Sequence, residues 1–194
     1  PLPRGNRVVL VTNSGGPAAL ASDSLAAAGM TLANLGPASQ STLRQALAPS
    51  AQVANPVDML GGAEPHEFET ALRTCLADPG VDAAIAILTP TALVNPADIA
   101  HTVGRVTAEF DKTVLACFVG GDAVNEARRI LHKMSVPMYQ FPEPAGKVLG
   151  KMRQQAVQRD QGSSSGVQHV AHPAKLQAES IFRALADRSN LEEA

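Results

Sequence analysis

The stretch Arg7-Val-Val-Leu-Val-Thr-Asn-Ser-Gly-Gly-Pro-Ala-Ala-Leu-Ala-Ser-Asp-Ser-Leu25 decides the fold. Val8 to Val11 is a β-branched, apolar run of the kind that forms a strand buried on both faces. Asn13, Ser14, Gly15 and Gly16 break it with small turn-forming residues. Pro17 is then expected at the first helical position, where a missing N–H costs nothing because that group has no intrahelical acceptor. Ala18, Ala19, Leu20, Ala21 and Leu25 carry the helix on. Strand, glycine turn and helix in succession leave the helix N-terminus open at the carboxyl end of the strand. Its unpaired N–H groups and the positive end of the helix dipole suit an anion, phosphate above all. Glycine there lets a ligand come close to the backbone, since a Cβ would hold it away. The same pattern also fits a tight βα turn that binds nothing. No lysine or arginine lies inside the turn, so a phosphate at Asn13 to Gly16 would be held by dipoles alone. That suits a passing phosphoryl group better than a retained nucleotide.

Nucleotide motifs are absent. The spacing is not G-x-G-x-x-G, no carboxylate for a ribose follows Asn34-Leu-Gly36, and no Gly-Lys-Ser/Thr completes a P-loop.

Outward from that stretch, strand and helix patterns alternate. Met30 to Leu35 reads as a second strand and Ser41 to Leu47 as a short helix. Asn55-Pro-Val-Asp58 and Met59-Leu-Gly-Gly62 read as loop. A helix opens at Glu64-Pro-His-Glu67 with its acids in the first turn, and Phe68, Ala71, Leu72 and Cys75 form its inward stripe. Ala83 to Leu88 is a central strand with Thr89-Pro-Thr91 at its carboxyl end. A helix from Asn95-Pro96, a strand from Thr113 to Val119, the pair Gly120-Gly121, a helix from Ala123 to Met134, a short strand from Met138 to Phe141 and a helix from Ala145 to about Gln158 complete the pattern.

Such alternation gives a parallel sheet covered on both faces, and right-handed crossovers lead to the flavodoxin-like order 2-1-3-4-5. This is a three-layer α/β/α architecture with five strands. Ligands bind where the winding reverses, which sets Asn13 to Gly16 beside Thr89. Asn55, Asp58, Gly120 and Gly121 lie on the same rim, with turn-making as the simpler role for the glycines and for Asp58. The domain is expected over residues 1–158, a Gly/Ser-rich flexible linker over 159–175, and an amphipathic helix set by Leu176, Ile181, Phe182 and Leu185 over 176–194.

Of 194 residues, 45% are hydrophobic, with no Trp, one Tyr and five Phe, so the core must be aliphatic. A net charge of −2 argues against nucleic acid or an anionic membrane as partner. Cys75 and Cys117 lack metal-ligand spacing and read as buried thiols of a reducing, cytoplasmic compartment. No metal site and no nucleophile–base pair emerges. A phospho-receiver would need an aspartate where Thr89-Pro90 stands and an acid pair where Asn13-Ser14 stands.

The motifs Gly5-Asn-Arg-Val-Val-Leu-Val-Thr-Asn-Ser-Gly-Gly-Pro17, Ala21-Ser-Asp23, Asn55-Pro-Val-Asp58, Asp78-Pro-Gly-Val-Asp82 and Val136-Pro-Met-Tyr-Gln-Phe-Pro-Glu143 occur in order. In this the chain resembles the NDP-forming acyl-CoA synthetases, which include ADP-forming acetyl-CoA synthetase and have succinyl-CoA synthetase as a relative. The resemblance covers about Gly5 to Arg159 and is to the second flavodoxin-like CoA-ligase domain. It implies part of an acid–thiol ligase that converts acyl-CoA, ADP and phosphate to acid, CoA and ATP through a phosphohistidine carried by a neighbouring domain. Asn13, Ser14, Gly15 and Gly16 match the helix opening that holds the phosphohistidine, with no catalytic residue in this piece. His66, His101, His132, His169 and His172 match no phosphohistidine loop. CoA, ATP/ADP and Mg would belong to the parent enzyme, none of them bound by this piece alone. Its partners would be a CoA-binding domain before Pro1 and an ATP-grasp domain after Ala194, and homo-oligomer formation is left open. The rival reading is a free-standing flavodoxin-like module that binds a nucleotide or phosphate without catalysis.

Overall fold

The computed structural model describes residues 1–162. Three segments supply the centre of one parallel sheet: β1 (Arg7–Thr12), β4 (Ala83–Leu88) and β5 (Thr113–Phe118). They are the continuous apolar runs of the sequence, and β4 and β5 are buried at every position. Only strands covered on both faces tolerate such runs. The remaining strands are two-residue pieces: β2 (Thr31–Leu32), β3 (Val57–Asp58) and β6 (Met138–Tyr139). The order is β2-β1-β4-β5-β6, with β3 also paired to β1. Leaving β3 aside, this is the 2-1-3-4-5 order expected from the alternation, and the fold is flavodoxin-like.

The helices are α1 (Gly15–Ala27), α2 (Pro37–Ala46), α3 (Pro65–Ala77), α4 (Pro96–Thr107), α5 (Asn125–Lys133) and α6 (Pro142–Gly162). Alternate residues of the central strands face opposite layers. Val9, Val11, Ala84, Ala86 and Phe118 pack with Leu43, Phe68, Ile99 and Leu131 of α2 to α5. Val8, Leu10, Ile85, Ile87 and Leu115 pack with Ala21 and Leu25 of α1 and Leu149 of α6. On that second side α1 and α6 touch through their backbones. A Cβ added to Gly146 would lie 2.6 Å from Ser24 Oγ, and one added to Gly150 would lie 2.8 Å from Ala28 O.

Several boundaries differ from the sequence reading. The first helix begins at Gly15, so Pro17 is its third residue rather than its first; its absent N–H is still one that needs no partner. The second strand shrinks to two residues because only Arg7 and Val8 of β1 pair with it. Val57–Asp58, expected as loop, extends the sheet by pairing with Val11 and Thr12. A 3-10 turn over Gly121–Val124 precedes α5. The final helix runs on to Gly162, because Arg159, Asp160 and Gln161 are ordinary helix formers and glycine is the first weak one. Residues Pro1–Gln158 form one compact unit. The rest of the expected linker, the expected helix over 176–194, His169 and His172 lie outside the described residues.

Candidate functional site

Parallel strands all end on one edge, so the loops after β1, β3, β4, β5 and β6 form a common carboxyl rim. Its centre is the place where the chain's winding reverses, between β1 and β4. Asn13 and Thr89 meet there. Asn13 Nδ2–H donates to Thr89 O and Thr89 N–H donates to Asn13 Oδ1, both at 2.9 Å. Asn13 is buried, so its side chain clamps the two strand ends together and does not face a ligand. Thr89 Oγ1 is buried without a hydrogen-bond partner among the described residues.

Ser14 is the N-cap of α1. Its N–H donates to Thr12 Oγ1 at 2.9 Å, and the Thr12 hydroxyl donates to Ser14 O. That amide is therefore spent within the turn, and Pro17 has none to offer. Gly15 and Gly16 remain: as the first two helical residues they have no intrahelical acceptor, and no other described residue takes their N–H groups. The expected four-residue cradle thus narrows to two adjacent amides. A Cβ on Gly16 would meet nothing within 4 Å, so the space over its backbone is open.

Asn55, placed on the rim by the sequence reading, is a structural residue instead. Its Nδ2–H groups donate to Val8 O at 2.8 Å and Ala33 O at 3.0 Å, and its Oδ1 accepts from Leu10 N–H at 3.0 Å. The side-chain amide fills the stretch of β1 that lies between its pairings with β2 and β3. Asp58 does reach the rim. Its Oδ1 accepts from Leu60 N–H at 3.0 Å, the turn-stabilising role expected of it. Its Oδ2 stands 3.4 Å from where a Cβ on Gly15 would sit, which sets a carboxylate beside the helix opening. That approach was not legible in the sequence, because the two residues lie 43 positions apart and meet only through the β1–β3 pairing. A groove of about 310 Å³ runs from this point past Ala18, Ser22, Gln52 and Pro56. Gly120 and Gly121 have local reasons to be glycine: a Cβ on Gly120 would lie 2.7 Å from Pro90 Cγ, and Gly121 has φ +54°.

Among the described residues no group of three or more His, Cys, Asp or Glu could hold a metal ion. Cys75 and Cys117 are buried, and burial pushes both thiols up to about 12, far from thiolate chemistry at neutral pH. His66, His101 and His132 ride on α3, α4 and α5. No helix among the described residues is long and apolar enough to cross a membrane.

The profile of the Ligase-CoA domain matches residues 8–161. The acetate–CoA ligase (ADP-forming) II subunit alpha of Pyrococcus furiosus is 39% identical over 160 residues, covering 80% of this chain and 35% of its own. The 4-hydroxybutyrate–CoA ligase (ADP-forming) of Nitrosopumilus maritimus is 30% identical, covering 78% of this chain and 22% of its own. Among solved structures, PH0766 from Pyrococcus horikoshii OT3 superposes with a TM-score of 0.78 at 37% identity, covering 81% of this chain and 37% of that one. A dinucleotide-forming acetyl-coenzyme A synthetase of Ca. Korarchaeum cryptofilum, solved with phosphate and ADP, also gives 0.78, at 28% identity over 86% of this chain and 36% of that one. The chain therefore spans about a third or less of the length of these relatives. It belongs to the Ligase-CoA domain family, in the company of ADP-forming CoA ligases.

Proposed function

We propose that this chain serves as one domain of an ADP-forming acyl-CoA synthetase, the enzyme class that interconverts acyl-CoA, ADP and phosphate with acid, CoA and ATP. Its part is to receive, at the N-terminus of α1, the phosphoryl group of a phosphohistidine carried by a neighbouring domain. The observation that carries this reading is the pair of unpaired amides at Gly15 and Gly16, open to the rim and backed by the dipole of a 13-residue helix.

Two preorganised N–H groups stabilise phosphoryl oxygens without any rearrangement at the moment of contact. No cation stands in the turn, and the Asp58 carboxylate beside Gly15 already occupies part of the dipole's favourable field. A dianion is thus welcomed weakly and released readily, as a group in transit between two sites requires. The acyl and CoA sites, the nucleotide site and magnesium belong, in this reading, to the other domains. The relatives' names support the reaction class, and their greater length supports the existence of such domains.

The test is Gly16→Val in the complete ligase carrying this domain. Its Cβ enters open space, so the fold is kept, while the branched side chain covers the amides. Phosphoenzyme formation from acyl-CoA and radiolabelled phosphate should fall about a hundredfold, the scale of losing oxyanion-type donors, with CoA affinity unchanged. Phosphorylation at the parental rate refutes the role.

A further inference from the structure

The layer made by α1 and α6 shows two unpartnered stripes to solvent. In its 13 residues α1 has one charged side chain, Asp23. Ala18, Ala21 and Leu25 are buried against the sheet, while Leu20, Asp23 and Ala27 are exposed at the i, i+3 and i+7 spacing of one helix face. Leu20 is 49% exposed. A helix that is apolar on both sides normally has both sides covered. On α6, Lys147, Lys151, Gln154 and Gln158 are exposed at i, i+4, i+7 and i+11. A furrow runs between the helices, since grooves of about 300 and 360 Å³ share Ala28, Gly150 and Gln154, and no acidic residue lines either.

The charges on this layer are left without partners. On the opposite layer, Arg73 of α3 pairs with Glu69 and Glu109, and Arg105 of α4 with Glu69. Asp23, Lys147 and Lys151 form no ion pair among the described residues. The two lysines are also one turn apart, where like charges repel. The relative height of the two helices is fixed by contact. A Cβ on Gly146 would meet Ser24 and one on Gly150 would meet Ala28, so the helices run parallel with residues 24 and 146 level. Asp23 is then level with Ala145, two residues or about 3 Å along the axis from Lys147.

We infer that the α1–α6 face pairs two copies of this chain about a two-fold axis parallel to the helices. That axis lays α1 of one copy over α6 of the other and keeps the heights. Asp23 of each copy therefore meets Lys147 of the other, twice per dimer. Leu20 and Ala27 lie under the aliphatic stems of the opposing lysines. An axis perpendicular to the helices would set α6 against α6, lysine facing lysine. A small anion would meet Asp23 as a like charge and leave Leu20 in water. The face is two helices wide and about 20 Å long, about 400 Å² in projection on each copy. That is small for a specific pair, so the dimer is weak and follows concentration. The contact begins at Leu20 and leaves the tip of α1 free, and the inference does not depend on the function proposed above.

The experiment is sedimentation equilibrium on the whole 194-residue chain. The parent should show a monomer–dimer equilibrium that weakens with salt. Asp23→Lys should raise the dimer dissociation constant about tenfold or more, because the symmetry counts each lost pair twice. It also takes the net charge from −2 to zero, so a general charge effect would strengthen association instead. Lys147→Glu with Lys151→Glu should weaken the dimer similarly, and joining those two to Asp23→Lys should restore it. Melting temperatures should stay parental, since all three side chains are exposed. A monomer at every concentration, a dimer indifferent to Asp23→Lys, or a combined variant as weak as its parents each overturns the inference.

Discussion

The two edges of the sheet are built on opposite terms. At the amino edge Arg7, Asp78, Asp82 and Lys112 are all partnered, although Thr107 Oγ1 at the end of α4 is buried without a hydrogen-bond partner among the described residues. Arg7 lies across Asp82, with Nε–H at 2.8 Å from Oδ2 and Nη2–H at 2.9 Å from Oδ1, and reaches on to Pro79 O. Asp78 is buried and accepts from Gly36 N–H, the Ser39 hydroxyl and Gly80 N–H at 2.7 to 2.8 Å, while its own carbonyl takes Lys112 Nζ. Arg4 pairs with Asp111 on the same side. At the carboxyl rim the Gly15 and Gly16 amides and the Thr89 hydroxyl lack partners among the described residues, and leucines stand in water. The contrast is one of degree: the amino edge gathers the charged pairs that brace the fold, while the rim leaves helix-opening amides unpaired, as the proposed function requires.

The largest expected effect that would break this comparison is at the amino edge. Asp78→Ala strands two backbone N–H groups and a hydroxyl, and should cost about 3 kcal/mol of stability by denaturant titration. Phosphorylation of whatever remains folded should be normal. If stability is unchanged, the amino edge is not the structural pole.

Asn13→Ala sharpens the comparison from the other side, since Asn13 is the one buried clamp on the rim. It should cost about 2 kcal/mol, because Thr89 loses both hydrogen bonds in a poorly hydrated place. A loss near zero would mean that water replaces the clamp and that the rim is looser than drawn.

Smallest is a difference in acid sensitivity. Burial tends to raise the Asp78 carboxyl, but the hydroxyl of Ser39 and the amides of Gly36 and Gly80 outweigh it and hold the group below its ordinary value. The Arg7 guanidinium likewise holds Asp82 low. Carboxylates with lowered pKa stabilise the fold above the unfolded value, near 3.9, and that contribution is lost as pH falls through the folded value. The melting temperature should therefore be flat from neutrality down to about pH 5 and drop below about pH 4. Asp78→Ala should drop less steeply there. Equal slopes in parent and variant would assign the acid response to other groups.

Much of the architecture was readable because buried parallel strands leave an unmistakable trace: Ala83 to Leu88 admits no amphipathic reading. The edge pieces were misjudged because Thr31–Leu32 and Val57–Asp58 are strands only by virtue of β1, which no local pattern encodes. At the site, the glycine turn and its neighbour Thr89 followed from winding alone. The roles of Asn13 and Asn55 did not, since an amide side chain reads identically whether it faces a ligand or a distant backbone. Asn55 bonds to residues 45 and 47 positions away.

One consequence follows from the contact between Gly146, Gly150 and the far end of α1. The amides at Gly15 sit about 20 Å up that helix from Ala28, and the helix is stiff. Any side chain at Gly150 would wedge against Ala28 and pivot the whole rod, so a small push at its foot becomes a displacement at its tip. The aim of the helix is thus set at the end remote from the rim, by the close approach of Gly146 and Gly150.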